Sequence, residues 1–567
     1  MKTKTIIRCL FAQALFTGTI PTLLAAPALP DIQPNLPRPE IPSRTPVPTV
    51  PVERNQNDNK VEKSTVKITV KEFTFTGNKQ FPSDELSDLL TEYLNHPIDL
   101  TELNAAVNKV KNHYRQKGFV LTQVYLEAKQ VQKASEDSST INMIILEGTM
   151  GDVKTESSSP LKNDFFQSMA EYDLQKGDVV SEKNLVRNMM MINGLPGVSA
   201  TSQLNPGEAV GSSDVMISVE PEPKFLGTVY ANTYGNKYTG REQAGFGMIW
   251  NNPNSVGDQL TVSGKVSNHE RLRTFGLGYS TPITAAGTIL SLGYSYVDYH
   301  LGREFKVLDA HGDAQYFSAA IDHPLVRDVK KGISFRTGLN YKVIDDNVDA
   351  FNLNNRRDIT SLDIGFGGDW LNSAGDVVYQ WGASITPGNV SFKDSDAKAL
   401  DQSSLKTSGS FLKWNLTSTR TQFFSDNIIW TLRADYQGAS DNLDIVEKIG
   451  IGAINRWRPY AELPNQAAEG VMVGTDLRKK WAVTGKLSNM LDVISPFAFY
   501  DIGKGKVNHD PLSSDNSVLS HQIGAGINFQ FKQKWTFGLS FSEQKRQLEG
   551  TPTENESRLW GQLRKDF

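Results

Sequence analysis

Residues 455–460 read NRWRPY, placing Arg456, Trp457, Arg458, Pro459 and Tyr460 together in a stretch with no hydrophobic period. Guanidinium groups present forked donors that match carboxylates, and neighbouring aromatic rings can shield such a pair from water. The chemistry open to this cluster is ion pairing by the two guanidinium groups and packing by the two rings. A fully solvated ion pair would contribute only ~0–1 kcal/mol, so the cluster has a purpose only where water is partly excluded.

Other chemistry is poorly provided for. The chain has no H-E-x-x-H, G-x-S-x-G or P-loop pattern, and its eight histidines form no metal-like group. Gly450 and Gly452, and Gly524 and Gly526, sit in strand-like sequence without the following helix that a phosphate cradle needs. The single cysteine, Cys9, lies in the N-terminal segment. No enzyme, metal or cofactor is expected. A net charge of −4 also gives no electrostatic reason for a nucleic-acid partner.

The elements that must position the cluster follow from pattern. The first 28 residues carry Lys2, Lys4 and Arg8 ahead of an apolar stretch and end in small residues, with Ala26 and Ala28 offering an A-x-A site. This is an export signal. Beyond it no apolar run approaches the length of a membrane helix. Residues 29–65 are proline-rich and then polar, which makes a linker.

Structure is expected from residue 66. Val66, Ile68 and Val70 alternate with polar residues as a half-buried strand. SDELSDLLTEYL reads as a short helix. In DLTELNAAVNKVKNHYRQKG, Leu100, Leu103, Val107, Val110 and Tyr114 recur at helical spacing, with Asp99 and Glu102 as a capping box and Gly118 as the stop. FVLTQVYLEAK and STINMIILEG follow as strands. The order strand, helix, helix, strand, strand then repeats, giving two small α+β modules, 66–148 and 149–222.

Beyond Pro223 helical periods vanish. Period-2 segments recur between turn signals, as in KWTFGLSFSEQ, where Trp535, Phe537, Leu539 and Phe541 share one face and small or polar residues the other. About sixteen such segments begin near Lys224, Gly240, Val256, Arg271, Gly287, Gly312, Lys331, Arg357, Gly375, Thr407, Phe424, Gly470, Ile494, Ser517, Lys534 and Ser557. One face suits lipid and the other water, so residues 223–567 are expected to close into an antiparallel transmembrane β-barrel in lipid. NNPNSVGD and TPITAAG read as short periplasmic turns. The stretches 295–312, 343–358 and 386–405 read as long outer loops. Phe567 is the terminal aromatic expected of a last barrel strand read by the barrel assembly machinery. The fold class is therefore mainly β, with two α+β modules preceding the barrel, in the outer membrane of a diderm bacterium.

The chain resembles the ShlB/FhaC/HecB family of two-partner secretion transporters, in which two periplasmic POTRA domains precede an outer-membrane pore. The resemblance rests on YRQKGFVLTQVYLEAKQ and INMIILEGTMGDV in the first module, LVRNMMMINGLPGVSATSQLNPGEAVGSSDVMISVE in the second, and TVYANTYGNKYTGREQAGFGMIWNNPNSVGDQL at the start of the barrel. It implies that residues 438–469 form a loop folded into the pore, with WRPY at its tip. Arg458 would meet Asp501 of a wall motif comprising Phe499, Tyr500 and Asp501. This sequence departs from the family in having Pro459 where a glycine is usual, so either the tip turn differs or Arg456 shares the work of Arg458.

What the resemblance implies for function is secretion of a large partner exoprotein of adhesin, hemolysin, heme-scavenging or contact-dependent toxin type. Capture would use strand addition beside the helix in the first module, along Phe119, Val120, Leu121, Thr122, Gln123, Val124, Tyr125 and Leu126. The alternative is a barrel-assembly factor of the same broad superfamily.

Overall fold

A sheet with one apolar and one polar side needs no second layer if the apolar side meets lipid and its edges close on each other. The C-terminal strands take this solution in the computed structural model. The structure describes residues 67–126, 139–157, 163–452, 465–511, 516–550 and 552–567.

The first module contains β1 (Ile68–Thr76), a helix Ser83–Asp88, β2 (Pro97–Ile98), a helix Leu100–Gln116, β3 (Gln123–Leu126) and β4 (Ser139–Leu146). Its sheet runs β2-β1-β4-β3, with β1 and β4 parallel and β3 at the edge. The long helix buries Leu103, Ala106, Val107, Val110 and Tyr114. Its capping box forms: Glu102 N–H donates to Asp99 Oδ1 at 2.8 Å, and Asp99 N–H donates to Glu102 Oε2 at 2.8 Å. Asp99→Ala should cost about 1 kcal/mol, seen as faster amide exchange over 100–116 in the otherwise intact protein. Gly118 ends the helix at φ +90, a backbone state that suits glycine.

The second module has β5 (Thr149–Ser157), helices Asn163–Glu171 and Glu182–Asn193, β6 (Val198–Pro206) and β7 (Ser212–Pro221), in sheet order β5-β7-β6. Phe166, Met169, Met189, Ile192 and Ile217 fill its core. This module sits against the periplasmic turns of the barrel. A Cβ on Gly257 would come within 2.8 Å of Leu195, and one on Gly287 within 2.9 Å of Met191.

The barrel strands are β8 (Phe225–Asn232), β9 (Gln243–Asn251), β10 (Gln259–Ser267), β11 (Leu272–Pro282), β12 (Ile289–His300), β13 (Ala310–Arg327), β14 (Lys331–Val348), β15 (Leu353–Leu371), β16 (Val377–Phe392), β17 (Gly409–Phe423) and β18 (Ile428–Ala439). A short pair inside the next connection, β19 (Ile449–Ile451) and β20 (Asn465–Ala467), forms a separate sheet. The wall continues with β21 (Glu469–Lys479), β22 (Trp481–Ala482), β23 (Leu491–Lys506), β24 (Ser517–Phe531), β25 (Trp535–Leu548) and β26 (Glu554–Asp566). Because β21 and β22 share one position beside β23, the closed barrel has 16 strands. Each expected strand start lies within four residues of an observed one. Exposed Phe246, Met248, Leu277, Phe317, Leu339 and Phe541 belong to its outer face. Trp250, Trp370, Trp481 and Trp535 lie near the periplasmic ends, as an aromatic girdle should.

Of the three long outer loops expected from sequence, 343–358 is corrected by the structure, whereas a long connection carrying a helix, Ser395–Ser403, does join β16 to β17. β14 runs to Val348 and β15 starts at Leu353, so only a short turn joins strands of 18 and 19 residues. Above the lipid an apolar face is no longer required and the alternating signal fades. The backbone groups still need partners and keep the ladder going.

Candidate functional site

The described parts of the connection between β18 and β21 lie against the inner wall of the barrel. Leu443 is fully buried in a cluster with Ala314, Ile344, Ile359, Val390 and Phe411, one residue from each of five successive strands. From there the chain makes a short turn and enters β19, which pairs with β20 as the stem of a hairpin. Gln437 Nε2 donates to Glu447 O and Ala468 O, both at 3.1 Å, tying the two legs to β18.

Two buried ionic groups hold this stem. Arg357 on β15 donates from Nε to Asp444 Oδ2 at 2.5 Å and from Nη1 to Asp346 Oδ2 at 2.7 Å. The Tyr299 hydroxyl donates to the other oxygen of Asp346 at 2.5 Å. Glu447 receives Lys342 Nζ at 2.6 Å on one oxygen and Lys413 Nζ at 2.5 Å on the other. Arg357 is only 3% exposed and Glu447 only 2%. Such pairs are costly to form and more costly to break singly, because the abandoned partner stays buried and charged. Sequence reading missed all of these residues. The available signal was weak: cations at Lys342, Arg357 and Lys413 in barrel strands, and two acids in LDIVEK.

The stem also lies close to β23. A Cβ on Gly503 would come within 3.1 Å of Ile451, and one on Gly505 within 2.6 Å of the Ala467 Cβ. The alternation along β23 turns Phe499 and Asp501 inward, at 5% and 1% exposure, and Tyr500 outward, at 39%. Of the three expected wall residues, two therefore share the luminal face, and Tyr500 does not. Arg456, Trp457, Arg458, Pro459 and Tyr460 lie outside the described residues.

In the first module the expected groove is partly corrected. Phe119–Thr122 is not strand but turn, with Thr122 N–H donating to Phe119 O at 3.3 Å. Phe119 is held there by edge-on contacts with Phe81 and Tyr114, and Leu121 packs against the core of the second module. Val120 is half-buried and Thr122 buried. The edge strand is Gln123–Leu126, with Val124 inward and Gln123 and Tyr125 exposed. Lys111 Nζ donates to Gln123 Oε1 at 2.9 Å, bridging helix and edge. Beneath, the Tyr114 hydroxyl donates to Glu147 at 2.9 Å; burial, with that carboxylate, pushes the phenol above its usual range. Phe567 follows β26 at the barrel seam, where its N–H donates to Gly227 O at 2.9 Å. No group of metal-binding side chains occurs among the described residues.

A closed 16-strand barrel with a hairpin stem held in its lumen and two α+β modules at its periplasmic mouth defines an outer-membrane pore with soluble accessory modules. Residues 211–531 match the family described as haemolysin secretion/activation protein ShlB/FhaC/HecB, and residues 68–148 match the ShlB-type POTRA domain. The chain belongs to the ShlB/FhaC/HecB family, and is an outer-membrane transporter of the two-partner secretion kind. It is 24% identical over 470 residues to the heme/hemopexin transporter protein HuxB of Haemophilus influenzae, covering 82% of this chain and 81% of that protein. It is 23% identical to the outer membrane transporter CdiB of Escherichia coli O6:K15:H31, covering 70% and 66%. The fold matches solved CdiB from Escherichia coli with a TM-score of 0.71 at 19% identity, covering 91% of this chain and 94% of that one. These relatives are transporters, not enzymes.

Proposed function

We propose that this chain captures an unfolded exported polypeptide in the periplasm at the free edge of β3 and threads it through the barrel to the cell surface. An extended chain can hydrogen-bond to a sheet edge whatever its side chains, which suits a long and varied cargo. No nucleotide is available in the periplasm, so direction comes from the cargo folding outside, which makes return unfavourable. Family membership favours this reading over barrel assembly. The cargo is a large exoprotein of adhesin, hemolysin, heme-scavenging or contact-dependent toxin type, and no catalytic residue acts on it. Residues 66–148 and 149–222 act as the periplasmic capture modules and 223–567 as the pore. Outer-membrane lipid surrounds the barrel, and the assembly machinery reads the last strand through Phe567.

One observation supports a plug most directly. The hairpin stem passes over Gly505 and then Gly503 on β23, toward the level of inward-facing Asp501. In this reading Arg458, with Arg456, Trp457 and Tyr460, carries the tip down to Asp501 and closes the pore until cargo displaces it. Arg458→Ala should raise or destabilise channel conductance in planar bilayers and lower secretion, with membrane insertion unchanged. Wild-type conductance and secretion in that variant would remove Arg458 from the site.

A further inference from the structure

We infer that the outer rim above β8–β10 is a binding site for a phosphate-bearing lipid of the outer leaflet. Three neighbouring outer connections build it: 233–242, 268–271 and 301–309. They are tied together by backbone bonds, Gly302 N–H to Tyr238 O, Asn268 N–H to Glu242 O and His300 N–H to Arg271 O, each at 2.8 Å. The edge-on contact of Tyr238 with Phe305 adds to this. Between them lies a recess of 680 Å³ whose lining includes Lys237, Arg241, Arg271, Arg303 and Lys306, with His269 beside them. Among the described residues Glu242 is the one carboxylate in that lining, and nearby Glu270 is paired with Arg273. Arg271, Arg303 and Lys306 alone outnumber that one acid, which makes the recess an anion site by charge.

A second observation says which anion. Through Glu242 and Asn268 the recess adjoins a trough of 590 Å³ at the barrel seam, lined mainly by apolar atoms. Its lining includes Ala231, Ala244, Val266, Phe537, Gly561 and Leu563. Val266, Phe537 and Leu563 are among the exposed apolar residues of the barrel wall, and the small residues between them leave the hollow. Height agrees as well. β8, β9 and β10 have 8, 9 and 9 residues, whereas β13–β15 have 18 or 19. At about 3.3 Å per residue and roughly 40° of tilt, a nine-residue strand rises about 23 Å, close to the ~25 Å apolar band. The cations therefore sit at the level of the outer headgroups, with an apolar channel for acyl chains below them. A phosphate on a bilayer lipid fits both parts, whereas free phosphate would use only the first.

The test uses the full-length protein in mild detergent, with bound lipid counted by native mass spectrometry. The probes are lipopolysaccharide carrying both lipid phosphates, the same material after phosphatase treatment, and inorganic phosphate. Wild type should retain the phosphorylated lipid and not the dephosphorylated one, and equimolar inorganic phosphate should not displace it. The triple variant Arg271→Gln, Arg303→Gln, Lys306→Gln should bind about a hundredfold more weakly, the loss expected for three cations at an anionic headgroup. Ala244→Trp, which fills the trough, should also weaken lipid binding. Equal retention of both lipid forms, displacement by equimolar phosphate, or wild-type binding by the triple variant would each overturn the proposal. If that variant keeps its lipid but loses partner secretion, the rim serves the exoprotein instead. The phosphatase comparison uses unaltered protein and decides the matter even if a variant fails to insert.

Discussion

Deleting residues 66–148 while leaving residues 1–65, the second module and the barrel in place is expected to abolish partner secretion without preventing membrane insertion. The deleted part contains the edge strand β3 and the helix that supports it, whereas the barrel closes through β26 and β8 with no help from this module. The second module keeps its own core and its seat on the periplasmic turns. What disappears is the edge strand proposed to hold cargo at the pore mouth. Holding a ligand beside its next site raises its effective concentration enough to matter by about two to four orders of magnitude, so secretion should drop by a comparable factor. The measurement is partner protein in culture medium against barrel content in outer-membrane fractions. Secretion at full level would refute the capture role of the module.

The second large effect is expected from Arg357→Ala. Arg357 stands between Asp444 of the hairpin stem and Asp346 of the wall. Its loss leaves two carboxylates facing each other in a poorly hydrated lumen, at a cost of about 3–5 kcal/mol. The barrel has a continuous backbone ladder and tolerates this, so the strain falls on docking of the stem. About 3 kcal/mol corresponds to roughly two orders of magnitude in the undocked population. Planar-bilayer recordings should show more frequent or larger openings, and secretion should fall with the loss of the docked stem. Arg357→Ala combined with Asp444→Ala removes one of the stranded charges and should recover part of the loss, as coupled neighbours do. If the single variant conducts as wild type does, Arg357 has no part in holding the stem.

Much of this architecture was legible in sequence because lipid imposes a simple rule. A wall residue facing lipid must be apolar and its neighbour facing the lumen need not be, so Trp535, Phe537, Leu539 and Phe541 already declare a strand and its orientation. The helix of the first module was equally plain, since Asp99, Glu102 and Gly118 are local signals whose partners lie within one turn. The lengths of the outer hairpins were not, because above the bilayer both faces of a strand can be polar. The edge strand was overextended toward Phe119 because that apolar run looks like strand, while packing against Phe81 and Tyr114 holds its first half in a turn.

By itself, then, the sequence determined the order of parts, the number of barrel strands and which wall residues meet lipid, since each depends on periodicity and capping read over a few neighbours. Only the tertiary structure decided that Arg357 meets Asp444, that Lys342 and Lys413 converge on Glu447, and that Gly503 and Gly505 make room for Ile451 and Ala467. These contacts join residues far apart in the chain. They exist because closing the barrel brings the inner faces of distant strands around one narrow space, where a charge must find its opposite or stay in water.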